Sequence, residues 1–136
     1  MSDDRLSPLV KLRLAGEVAV TYPRTRRAMK NGTLPEALRQ LRAPRDGGPD
    51  GDGMSVAEGR RLGRAVARTL RVLPADSRCL AQSLVLTAML ARRGVSSVLV
   101  IGVRPGESFG AHAWVELEGA ALLPPMLDRF SRFAEL

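Results

Sequence analysis

The fold is decided by CLAQSLVLTAMLARR at residues 79–93, GVSSVLVIGV at 94–103 and AHAWVELE at 111–118. When the first segment is placed on a helix, few of its residues are polar, which predicts a central buried helix. Asp76 or Ser77 is expected to cap that helix. The second segment is rich in valine and isoleucine and predicts a strand. The third alternates between apolar and polar residues, which predicts an antiparallel partner for that strand.

Working outward, the N-terminal flank predicts further helices. Ser7-Pro8 opens a helical pattern, which Tyr22-Pro23 is expected to kink or end. Residues 33–36 are a capping-box pattern and predict a short helix over 36–42. Ser55 is expected to cap a third helix that runs to about residue 71.

The C-terminal flank predicts a third short strand over 120–123, after a turn at Gly119. Phe130 and Phe133 then follow at helical spacing. Helices thus precede an antiparallel meander, so the predicted fold class is α+β. We expect one compact domain, divided into an N-terminal helical segment (1–45), a glycine-rich flexible linker (46–53) and a core (54–136).

Composition excludes several classes of protein. The 136 residues contain one cysteine, so an internal disulfide and a multi-cysteine metal site are excluded, and a reducing, cytoplasmic location is expected. No apolar run approaches the ~18 residues that a membrane span requires. The net charge is +7, but the arginines are dispersed and aromatic residues make up only 4%, so neither nucleic acid nor a membrane is an expected partner. No metal and no cofactor are expected.

The single cysteine and the single histidine are the candidate catalytic pair. Cys79 is predicted in the first turn of the buried helix, where unpaired N–H groups and the helix dipole favour a thiolate. His112 is predicted on the second strand, where it would serve as general base and then as general acid. The alternative interpretation, a buried apolar cysteine and a half-buried structural histidine, stays open.

Residues 78–86, 90–94, 98–103 and 109–116 resemble the transglutaminase-like cysteine peptidases of lasso peptide biosynthesis. The resemblance is close over about 74–124 and looser upstream. It implies a papain/transglutaminase-like fold, in which a buried nucleophile helix packs on a small antiparallel sheet. It also implies cleavage of a leader from a ribosomally made precursor peptide through a thioacyl-enzyme.

The resemblance further implies partners and site residues. A lasso cyclase would close the macrolactam, and a separate leader-recognition protein would hold the precursor, because no segment here resembles such a module. Family members usually carry an aspartate about a dozen residues after the histidine, but 120–125 has no carboxylate. The group that orients His112 would then be Asp128 or a backbone carbonyl, or it would be absent. Gln82 stands where many relatives have arginine and is an oxyanion candidate or a plain polar position. Trp114 would line the cleft or pack in the core.

Other functions remain open from the sequence. The same thioacyl-enzyme could pass its acyl group to an amine, as transglutaminases do, and the sequence does not separate water from an amine as acceptor. A scaffold with a degenerate triad that binds the leader or the cyclase would keep the fold without the chemistry. A basic nucleic-acid binder is the last alternative.

Overall fold

The computed structural model describes residues 7–42, 54–73, 75–104, 110–123 and 131–136. The predicted linker over 46–53 therefore lies outside the described residues. The helices are α1 (Pro8–Lys30), α2 (Leu34–Arg42), α3 (Val56–Thr69) and α4 (Ala75–Arg92), with a 3₁₀ turn at Leu70–Val72 between α3 and α4. The strands are β1 (Val98–Arg104), β2 (Gly110–Leu117), β3 (Ala120–Ala121) and β4 (Ser131–Glu135).

The strands form an antiparallel sheet in the order β3-β2-β1-β4, separate from the helices along the chain. The α+β class predicted from the sequence is confirmed. None of the described helices is long and apolar enough to cross a membrane.

Two helix starts follow from capping boxes that the sequence carries. The Thr33 N–H donates to Glu36 Oε1 at 2.9 Å, and the Glu36 N–H donates to Thr33 Oγ1 at 3.4 Å. At α3, Ser55 and Glu58 make the same reciprocal pair. Each box satisfies N–H groups that the first helical turn leaves unpaired, and it thereby fixes where the helix begins.

Helix α1 runs through Pro23, so the predicted end of the helix at Tyr22-Pro23 is wrong. The helix buries a stripe on either side of the proline, made of Val18, Thr21, Thr25 and Ala28. These positions follow the 3–4–3 spacing of a packed helix face, and contacts with α2, α3 and α4 hold that face in place. Packing therefore outweighs the hydrogen bond that proline removes.

Helix α4 is the centre of the molecule. It contacts α1, α2 and α3 as well as β1 and β2, and every residue from 83 to 90 is buried. It ends in a Schellman motif, in which Gly94 has φ 75° and the N–H groups of Gly94 and Val95 donate to Ala91 and Leu90. The predicted buried helix and its glycine end are confirmed.

The sheet combines a tight hairpin with a returning C-terminal strand. Glu118 and Gly119 both have positive φ, as a two-residue turn between β2 and β3 requires. Phe130 and Phe133 have helical spacing, but that spacing does not indicate a helix here, because Ser131–Glu135 is a strand. It pairs with β1, whose backbone groups on that side would otherwise lie at a sheet edge.

Candidate active site

Cys79 is a free, half-buried thiol near the start of α4. Because α4 begins at Ala75, earlier than a cap at Asp76 or Ser77 would allow, Cys79 is its fifth residue. The sequence misplaced the start because aspartate and serine are favourable inside the first turn as well as at the cap. In a helix that starts at Ala75, the Cys79 N–H faces the Ala75 carbonyl. It is therefore not one of the unpaired first-turn N–H groups that could stabilise a thiolate or an oxyanion.

Hydrogen bonds fix the backbone on both sides of Cys79. The guanidinium of Arg78 donates through Nε and Nη2 to the Leu73 carbonyl at 3.2 and 3.0 Å. The buried hydroxyl of Ser83 donates to the Cys79 carbonyl oxygen at 2.8 Å. These contacts hold the first turns of α4 in place. They also fix the guanidinium of Arg78, the residue before Cys79. Sequence reasoning missed Ser83, although a serine in an otherwise apolar helix is a signal for such a bond to the preceding turn.

His112 lies on β2, half-buried, directly opposite Gly102 of β1. Gly102 itself places no side chain beside the imidazole across the strand pair. Burial lowers the pKa of His112 from its usual 6.5, because desolvation disfavours the charged form. The imidazole is therefore neutral at pH 7, as a general base must be.

Trp114 supports the histidine from the same face of β2. The two rings are stacked with centroids 5.9 Å apart and planes inclined by 26°. Trp114 is only 1% exposed, and its indole N–H donates to Oε2 of the buried Glu116 at 2.9 Å. The indole thus packs in the core and backs the imidazole.

The chain connection sets Cys79 and His112 toward the same end of the structure. Only residues 93–97 join α4 to β1, and α4 packs on both β1 and β2. A connection this short turns the chain back on itself, so the N-terminal part of α4 runs beside the C-terminal part of β1. Gly102 lies in that part of β1 and pairs with His112.

The remaining candidates have different positions. Gln82 is half-buried on α4, three residues after Cys79 and therefore on the same helix face. Asp128 lies outside the described residues. Among the described residues, no group of three or more histidine, cysteine or acidic side chains has the arrangement of a metal site.

The comparison with known families agrees with this architecture. The profile of the Transglutaminase-like superfamily matches residues 12–135, which is most of the chain, so the protein belongs to that superfamily. The superfamily generally comprises cysteine peptidases and acyltransferases. Neither the curated proteins nor the solved structures gave a match.

Proposed function

We propose that this protein is a cysteine peptidase that removes the leader from a lasso peptide precursor. Cys79 is the nucleophile and His112 is its general base and acid. The observation that carries the proposal is the position of the only cysteine, near the start of the helix that packs on the strand bearing the only histidine. Superfamily membership supports the thiol chemistry, and the sequence resemblance supports the lasso substrate.

The proposed reaction has two stages. His112 takes the thiol proton, and the Cys79 thiolate attacks the carbonyl carbon of the leader–core bond. As the C–N bond breaks, the imidazolium gives that proton to the leaving amine, which becomes the N-terminus of the core peptide. Water then attacks the thioester while His112 takes its proton, and the leader leaves with a new carboxylate as the thiol is restored.

Two features of the site support these roles. The lowered pKa of His112 keeps the imidazole unprotonated before attack. Gln82, one turn after Cys79, carries a side-chain amide that could donate to the oxyanion, a role for which the Cys79 N–H is not available in this helix. Asp128 remains a candidate for orienting the imidazole, by the resemblance alone.

The partners are part of the proposal. A separate leader-recognition protein presents the precursor, and a lasso cyclase uses the freed N-terminus of the core. The reaction belongs in the cytoplasm, where a thiol stays reduced.

The test is mass spectrometry of a lasso precursor peptide incubated with the protein and a leader-recognition partner. Wild type is expected to cut one leader–core bond, while Cys79→Ala abolishes the cut and His112→Asn slows it by at least about 100-fold, in line with general acid–base contributions. Equal cleavage by wild type and Cys79→Ala would contradict the proposal. A folded, peptide-binding wild type that does not cleave would favour the scaffold.

Adding glycine methyl ester to the same reaction separates hydrolysis from acyl transfer. Hydrolysis releases a leader with a free C-terminal carboxylate, whose mass is independent of the amine. A leader carrying the mass of the added amine would identify the protein as an acyltransferase of the same superfamily.

A further inference from the structure

A groove of about 610 Å³ lies between the first half of α1 and the second half of α3. On α1 its lining includes Pro8, Lys11, Leu12 and Ala15, and on α3 it includes Arg61, Arg64, Ala65 and Arg68. Both sets have the i, i+3, i+4, i+7 spacing of one helix face, so two helices present matching stripes to the same space. No residue that lines the groove is acidic or aromatic in the part of the chain that the structure describes.

The groove combines positive charge with apolar side chains. Leu12 is 70% exposed there, and it lies beside Lys11 on α1. Leu9 is also exposed on the same turns of α1. Exposed leucines next to a row of cations form a surface on which a partner gains both apolar burial and charge pairing.

We propose that this groove binds an acidic, amphipathic segment of a protein partner. Apolar side chains of the segment would cover Leu12 and Leu14, and its carboxylates would pair with Lys11 and Arg68. Charge complementarity selects this occupant, because the lining offers cations and no carboxylate within the described residues. An amphipathic peptide helix carries acidic and apolar side chains at helical spacing. That spacing matches the spacing of the lining residues on α1 and on α3.

The lining favours a peptide over the other anionic partners. Single-stranded nucleic acid binds through aromatic side chains on which its bases stack, and the described lining has none. A helix that lies on a membrane surface carries its apolar and basic residues on one amphipathic helix, whereas in this groove the leucines are on α1 and most of the cations are on α3.

The groove is separate from the candidate active site. Its lining comes from α1 and α3 and includes no residue of α4 or of the sheet. Neither Cys79 nor His112 contributes to the lining, so the binding does not depend on the proposed reaction.

The test is fluorescence anisotropy with the full chain carrying Cys79→Ala, which binds without turnover. The probe is a labelled 16-residue peptide with glutamates and leucines at alternating three- and four-residue spacing. We expect saturable binding that the double variant Lys11→Glu/Arg68→Glu weakens by about tenfold or more, because two contacts become repulsive. Leu12→Ser is expected to weaken binding severalfold, and circular dichroism verifies that each variant is folded.

The matched control is Arg13→Glu/Arg71→Glu. Both arginines are exposed, lie outside the groove and give the same change in net charge. Unchanged affinity in this control supports the groove, whereas an equal loss in both double variants would mean non-specific charge attraction and overturn the proposal. Absence of binding to the peptide, or tighter groove-dependent binding of a 16-nucleotide single strand or of phosphatidylglycerol vesicles, would also overturn it.

Discussion

Three side chains on one face of β2 form a support for the candidate base. His112, Trp114 and Glu116 alternate along the strand, the first two stacked and the last two joined by a hydrogen bond. The indole of Trp114 is buried, and its single N–H is hydrogen-bonded to Glu116. Its ring is therefore held in one position, against which the imidazole stacks. A base whose ring plane is fixed before substrate arrives loses less entropy during proton transfer.

The titration of His112 should follow from its burial. Because it is the only histidine, its imidazole protons give one resolved NMR signal set. We expect a midpoint below 6.5, since desolvation lowers the pKa. A folded pKa below the unfolded one means that the unfolded state binds more protons, so this contribution to stability is present above pH 6.5 and is lost as pH falls through the lowered pKa.

The control for this titration is His112→Gln. Its free energy of unfolding should fall less between pH 7 and pH 5 than that of the wild type, because the variant has no imidazole to protonate. A midpoint at or above 6.5 in the wild type would contradict the effect of burial.

Glu116 should matter for stability through Trp114. Glu116→Leu removes the carboxylate that accepts from the buried indole N–H, and an unsatisfied buried donor costs about 1–3 kcal/mol. Glu116→Gln keeps an acceptor oxygen at the same reach and should lose less. Urea unfolding, followed by circular dichroism, compares the two variants, and an equal loss would show that the hydrogen bond is not the cause.

The sequence predicted which of these residues share a face but not how they interact. Alternation along the strand placed the three side chains together, and uniqueness singled out Cys79 and His112. The bond between Trp114 and Glu116 depends on side-chain rotamers, which no periodicity encodes. The position of Cys79 in the helix was missed because Asp76 and Ser77 suit the first turn as well as the cap.

At the scale of elements, α3 meets the end of the β2–β3 hairpin through glycine. A Cβ built on Gly63 would overlap the carbonyl oxygen of Leu122, and one on Gly59 would press against the Leu122 side chain. Gly59 and Gly63 are one helical turn apart, so the same face of α3 lies close to Leu122 at both positions. The backbone after β3 is packed against a helix surface that only glycine leaves open.

This contact predicts opposite effects of one substitution at two helical glycines. Gly63→Ala should destabilise the protein by at least about 2 kcal/mol, because the obstructing atom belongs to the backbone and cannot rotate away. Gly16→Ala on α1, where nothing lies within 4 Å, should stabilise by about 0.5–1 kcal/mol from helix propensity. Thermal unfolding of both variants checks the pair, and stabilisation by Gly63→Ala would contradict the close approach.

The elements that the sequence misjudged are those decided by distant contacts. Caps at Thr33 and Ser55 are local, and they were predicted. The buried face of α1 continues past Pro23 through Thr21 and Thr25, and a count of apolar residues leaves threonines out. Strand β4 pairs with the open edge of β1. The sequence of residues 131–135 alone does not indicate that such an edge is available.

At the scale of the whole molecule, polar contacts join segments far apart in the chain. The carboxylate of Glu17 on α1 accepts from Arg93 at 2.8 Å through each oxygen and from Arg92 at 3.3 Å. Arg42 of α2 donates to the carbonyl oxygens of Ser97 and Leu136 at 3.0 and 2.9 Å. Since α1 and α2 also share a core with α4, they should unfold together with the sheet.

Glu17→Gln tests this cooperativity. Burial by itself would raise the pKa of Glu17, but the hydrogen bond from Arg93 and the charges of Arg93 and Arg92 more than offset it, so the pKa is lowered from 4.5. The contribution to stability is therefore present above pH 4.5 and is lost as pH falls through the lowered value. At pH 7 the variant should lose about 1–2 kcal/mol.

Two probes follow the loss in different parts of the molecule: far-UV circular dichroism for the helices, and the fluorescence of Trp114, the single tryptophan, for the sheet. Glu17→Gln should move both urea transitions by the same amount, because α1 is packed into the core that contains Trp114. The exposed Glu118→Gln is the matched control and should move neither. If only the dichroism transition moved, α1 would unfold separately, and the N-terminal helices would be a unit of their own.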